Sequence, residues 1–119
     1  HGYGRYVRLT FEASELDERG WVMDFGDLRD IKRWIESEWD HNVLIAADDP
    51  LIPELKKLEE TGAIYLNILP DGYYPGIEES CRYLYDMINP MIQKKTNNRV
   101  EITRVEIWEH ENNHAEYVR

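Results

Sequence analysis

The chain has 119 residues, of which 42% are hydrophobic and 32% charged, and 14 basic against 24 acidic residues give a formal net charge of -10. That balance argues against nucleic-acid binding, which needs a basic footprint to displace counterions. No apolar run reaches the length of a membrane-spanning helix, so neither nucleic acid nor membrane is expected as a partner. The single cysteine, Cys81, cannot form an internal disulfide, and a reducing, cytoplasmic compartment is expected.

Residues 5–12 (RYVRLTFE) alternate with period two, Tyr6, Arg8 and Thr10 facing one way and Val7, Leu9 and Phe11 the other, which predicts a half-buried strand. Residues 14–20 form an acidic turn ending in Gly20, and residues 21–25 (WVMDF) are expected as a second strand closing a hairpin. Asp27 is placed to cap a helix whose apolar face carries Leu28, Ile31, Trp34, Ile35 and Trp39, ending near Trp39 or Asp40.

Residues 48–61 predict a short helix closed by Gly62, and residues 63–69 a strand. Residues 70–76, with two prolines and an Asp-Gly, read as a loop. A second long helix is expected over 77–92, with Cys81, Leu84, Ile88 and Met91 inward and Pro90 as a point of bending or ending. Residues 94–98 are a polar turn, residues 100–108 (VEITRVEIW) the clearest strand, and residues 115–118 a short last one. The sum is α+β, with a mostly antiparallel sheet and helices on one face, in one domain over 1–119.

Several residues carry chemistry. Asp40-His41 places a carboxylate beside an imidazole, a pairing suited to acid–base work near neutral pH, although a histidine at a helix end also fits a purely structural role. His110 to His114 matches H-E-x-x-H, a zinc motif that works on a helix; here it follows a strong strand and contains Asn-Asn, so loop histidines are expected. Glu109 ends a strand, either as an exposed acid or as an acceptor for a planar bidentate edge. Cys81 sits on an apolar helix face, which suits a core residue better than a nucleophile. Tyr73 and Tyr74 lie in the Gly/Pro loop, where they suit either a flat ligand or a subunit interface.

In order, these segments resemble the 6-pyruvoyl-tetrahydropterin synthase / 6-carboxytetrahydropterin synthase family. Residues 16–28 (LDERGWVMDFGDL) resemble its L-D-x-x-G-M-V-x-D-F-x-x-L block, and Asp40-His41-Asn42-Val43-Leu44 its L-D-H-x-x-L, with Trp39 in place of Leu. Pro75-Gly76-Ile77-Glu78-Glu79 stands where the family has P-T-A-E-N, and Trp108-Glu109 with Ala115-Glu116-Tyr117 is similar to its W-E-T-P…A-x-Y.

The resemblance implies a T-fold, a four-stranded antiparallel sheet with two helices on one face, assembling into a homo-oligomer, usually a hexamer. It implies a zinc ion held by three histidines and a pterin triphosphate substrate, 7,8-dihydroneopterin triphosphate. Residue by residue, it gives Asp40 and His41 catalytic roles, Glu109 the pterin ring, Glu78 a place near the substrate, and His1 the first histidine of an H-G-H zinc pair. Tyr3 stands where the second would be. The family's N-terminal strand, with a further zinc histidine and the nucleophilic cysteine, is not among these residues. The activity implied is a lyase of the queuosine branch, giving 6-carboxytetrahydropterin, with the 6-pyruvoyl product or a non-catalytic relative as alternatives.

Overall fold

The computed structural model describes residues 4–110 and 112–119, and its contacts divide the chain into two compact units. The first comprises residues 1–28 and 76–119, the second residues 29–75.

In the first unit, β1 (Arg5–Ala13), β4 (Val100–Glu109) and β5 (Asn113–Val118) form an antiparallel sheet in the order β1-β4-β5. Helix α3 (Ile77–Lys95) packs on β4 and β5. The core lies between them: Cys81, Leu84, Ile88 and Ile92 of α3 and Val100, Ile102, Val105 and Ile107 of β4 have essentially no exposed surface. Removal of such side chains from water is the main force holding the layers together.

The apolar parity of β4 changes midway, from Val100 and Ile102 to Val105 and Ile107. The register explains it. Leu9 faces Val105 and Thr10 faces Arg104, but Phe11 faces Ile102, so Thr103 is an extra residue, a β-bulge that returns the next side chains to the core. Pro90 does not end α3; the helix continues to Lys95, with Ile88 and Ile92 buried on either side of it. Ile92 rather than Met91 completes the inner stripe.

In the second unit, α1 (Leu28–Trp39) leads into β2 (Asn42–Ile45), α2 (Ile52–Glu60) and β3 (Tyr65–Ile68). Strands β2 and β3 pair in parallel. Side chains tie the helices to β3: Asn67 Nδ2 donates to the Glu38 backbone oxygen at 2.8 Å, and Glu59 Oε2 accepts the Leu66 N–H at 2.7 Å.

Two expectations are corrected. The antiparallel sheet has three strands among the described residues, and the segment 63–69 joins a separate parallel pair instead. Residues 21–25 form no strand, because their backbone groups are already engaged. Asp17 Oδ1 accepts the N–H of Trp21, the Asp17 N–H donates to the Trp21 oxygen, and Arg99 Nη2 donates to the Val22 oxygen. The chain then enters a 3-10 turn (Phe25–Asp27), where the side chain of Asp24, not Asp27, accepts the capping N–H from Gly26.

Candidate functional site

Glu109 closes β4 and lies directly opposite Arg5, the first residue of β1. Because β1 alternates, Arg5 occupies the half-buried side that Val7, Leu9 and Phe11 continue. Its guanidinium serves two elements. Nη1 donates to Ser80 Oγ at 2.8 Å in the first turn of α3, and Nη2 lies 3.9 Å from Glu109 Oε1. The side chains of Arg5 and Glu109 are 10% and 18% exposed, so neither charge is fully hydrated and each compensates the other. Glu78 stands in the same first turn of α3, exposed, two residues before Ser80. The first unit therefore brings Glu109, Arg5 and Ser80 together, with Glu78 on the same helix end.

Asp40 and His41 lie in the second unit, where α1 turns into β2. His41 adopts a left-handed conformation (φ 56°), which ends the helix. Asn42 Nδ2 donates to the backbone oxygens of Asp40 (2.8 Å) and Ser37 (3.2 Å), occupying carbonyls at the helix end. The turn brings the two side chains together, with Asp40 Oδ1 3.7 Å from His41 Nε2 and both side chains largely exposed. The arrangement suits an open proton-transfer pair rather than a buried structural one.

The other candidates separate clearly. His110 sits in a turn with φ 48°, and His114 lies in β5, so the H-E-x-x-H spacing does not present its histidines from one helix. Cys81 is fully buried and its thiol points at the Ala115 carbonyl, 3.4 Å away. Burial pushes that thiol up to about 11, which leaves it a core residue. Tyr74 donates to Asp48 Oδ2 at 3.2 Å. His1, the metal ligand named by the resemblance, lies outside the described residues.

The sheet face away from α3 carries a second polar group. Glu106 of β4 and His114 and Glu116 of β5 place one ligand-type atom each within 4.8 Å of one another. Glu106 is buried, 3.5 Å from His114 Nε2 and 3.9 Å from Arg8 Nη1, while Arg104 Nε lies 3.7 Å from Glu116. Trp108 lies against His114 at a tilt and meets Tyr6 edge to face, with centroids 4.4 and 5.4 Å apart. The donor types suit a divalent metal. However, two arginines already compensate the carboxylates, and the described histidines supply no three-histidine zinc set.

Arg5, Ser80 and Glu106 went unread in the sequence. Arg5 did carry a signal: a guanidinium on the apolar side of an alternating strand requires an acid nearby.

The family model described as 6-pyruvoyl tetrahydropterin synthase matches residues 1–119. The 6-carboxy-5,6,7,8-tetrahydropterin synthase of Aquifex aeolicus is 29% identical over 119 residues, covering 98% of this chain and 72% of that protein. The enzyme of the same name from Rickettsia typhi is 36% identical over 50 residues, 41% of this chain and 36% of its own. Among solved structures, an uncharacterized protein of Wolinella succinogenes superposes with a TM-score of 0.80 at 24% identity, covering all of this chain and 78% of its own. A catalytic-residue mutant of Plasmodium vivax 6-pyruvoyltetrahydropterin synthase gives 0.71 at 16% identity, with 100% and 80% coverage. These structures share the fold of this chain.

Proposed function

This chain belongs to the 6-pyruvoyl tetrahydropterin synthase family, and from that premise we propose that it is a 6-carboxy-5,6,7,8-tetrahydropterin synthase-like lyase acting on 7,8-dihydroneopterin triphosphate. The naming of the Aquifex aeolicus relative supports the 6-carboxy product over the 6-pyruvoyl one. The observation that carries the reading is Glu109, a half-buried carboxylate at a strand end, held beside Arg5. A pterin presents a ring N–H and an exocyclic amino group side by side, and one carboxylate accepts both.

The residues divide the work. Glu109 binds and orients the ring, and Glu78 lies near the substrate side chain. His41 accepts and returns protons, with Asp40, which lies 3.7 Å from its Nε2, stabilising the charged imidazolium. Zinc belongs to this reading through the family resemblance, with His1 as a ligand, and would polarise the substrate side chain. The described residues do not fit a three-histidine site, the one metal-type cluster among them being Glu106, His114 and Glu116. A T-fold subunit over 1–119, assembled as a homo-hexamer in the cytoplasm, completes the reading.

The test is incubation of the purified protein with 7,8-dihydroneopterin triphosphate, with products identified by mass spectrometry and acetaldehyde release measured. The 6-carboxy product with acetaldehyde is expected. Glu109→Gln, which turns one acceptor toward the ring into a donor, is expected to lower kcat/KM by at least about tenfold, the loss of a hydrogen bond to a charged group. Pterin binding without turnover would assign the chain a non-catalytic pterin-binding role. Turnover unaffected by Glu109→Gln would remove the central observation.

A further inference from the structure

We propose that Arg5 is a positioning residue for pterin recognition, holding the Glu109 carboxylate in place as a pre-set acceptor. This deepens the reading above and rests on Glu109 meeting the pterin edge. Three observations from three elements carry it. Arg5 and Glu109 are direct cross-strand partners at the ends of β1 and β4. The guanidinium is pinned from the helix layer, with Nη1 donating to Ser80 Oγ at 2.8 Å. The carboxylate lies 3.9 Å from Nη2, close enough for charge to fix its position and too far for a short bidentate pair.

That last distance matters. A carboxylate locked in a fork–fork pair has its acceptor sites consumed, whereas one held by a longer ion pair keeps lone pairs for a ligand. Ordering the acceptor before the substrate arrives removes part of the entropic cost of binding. A lysine in the same place delivers a point charge and cannot span Ser80 and Glu109 in one plane. Arg5 acts through the pyrimidine edge of the pterin, away from the ring bond that goes from dihydro to tetrahydro, so its effect belongs in binding and not in the proton transfers assigned to Asp40 and His41.

The experiment compares wild type, Arg5→Lys and Ser80→Ala as full-length proteins. Binding of neopterin is followed by fluorescence, and KM and kcat are measured with 7,8-dihydroneopterin triphosphate. Arg5→Lys is expected to raise the neopterin Kd and the KM by about tenfold, with kcat within about twofold of wild type. Ser80→Ala leaves both charges in place and shortens a small buried side chain, so it keeps the fold; it is expected to raise Kd by about threefold, through a loosened Arg5. Unchanged Kd and KM in both variants, or a loss confined to thermal stability or to kcat, would overturn the proposal. Wild type that binds no neopterin and turns over no substrate would overturn the pterin reading itself. Wild type that binds normally beside variants that also bind normally overturns only the role of Arg5.

Discussion

Asn89→Ala removes a single acceptor from the interior of the first unit. Asn89 is 8% exposed on α3, and its Oδ1 accepts the N–H of Ile102 at 2.8 Å. Ile102 lies next to the bulge at Thr103, where the β1–β4 ladder loses its regular spacing, so the helix side chain supplies an acceptor where the sheet is irregular. Without it, a buried N–H loses its partner at a cost of about 1–3 kcal/mol. Little water can reach the site to replace the amide, because Ile102 has no exposed surface.

A loss of about 2 kcal/mol is therefore expected, which for a chain of this size lowers Tm by roughly 8 °C. Urea denaturation followed by far-UV circular dichroism reads it, at one protein concentration, because any self-association would couple to stability. The midpoint should fall with m unchanged. Tyr85→Phe serves as the control. The Tyr85 hydroxyl is 3.5 Å from Asn89 Nδ2, a long contact whose removal should cost under about 0.5 kcal/mol. Asn89→Ala within about 0.5 kcal/mol of wild type, or Tyr85→Phe as costly as Asn89→Ala, would refute the assignment of the Ile102 N–H to this acceptor.

The remaining predictions concern two titratable groups. The Trp21 N–H, then the Arg19 N–H and the charges of Arg99 and Arg19, hold the Asp17 carboxyl below its usual range. Its contribution is thus complete above the unfolded carboxylate value and is lost as pH falls through the lower folded value. The stability difference between wild type and Asp17→Ala should be constant at neutral pH and should shrink on acidification; a difference that grows in acid would contradict the loop geometry. Cys81, with its thiol at about 11, exposes a thiolate fraction of roughly one in a thousand at pH 8 even before burial slows access. Labelling by a disulfide reagent should be slow in native protein and stoichiometric in urea, and rapid native labelling would show that the sheet does not close over the inner face of α3 at Cys81.

The elements that were legible in the sequence are those whose signal is local. The alternation of β1 and the apolar stripes of α1 and α3 are properties of a dozen neighbouring residues, and burial follows them closely. The four residues of β2 gave no such signal, and its parallel pairing with β3 is decided by partners more than 20 residues away. Residues 21–25 misled because their apolar character suggests a strand while their hydrogen bonds go elsewhere. Asp17 takes the Trp21 N–H, and Arg99, 77 residues from Val22, takes its carbonyl.

The site divides in the same way. Asp40-His41 was legible as a pair because the two are adjacent, and the helix end brings their side chains together. Glu109 was ambiguous from its own surroundings and gained meaning only from the resemblance, because its partner Arg5 is at the far end of the sequence. What links these cases is a polar residue where the local pattern calls for an apolar or exposed one. Arg5 on the inner side of β1, Asn89 among the buried positions of α3, and Arg99 between a polar turn and a strand each engage a distant backbone or charge. Burial of such groups is tolerated only when a partner satisfies them. An out-of-pattern polar residue is therefore a statement about tertiary structure. In this chain, following those residues leads to the irregular end of the sheet through Asn89, to the folded 14–22 loop through Arg99, and to the proposed pterin anchor through Arg5.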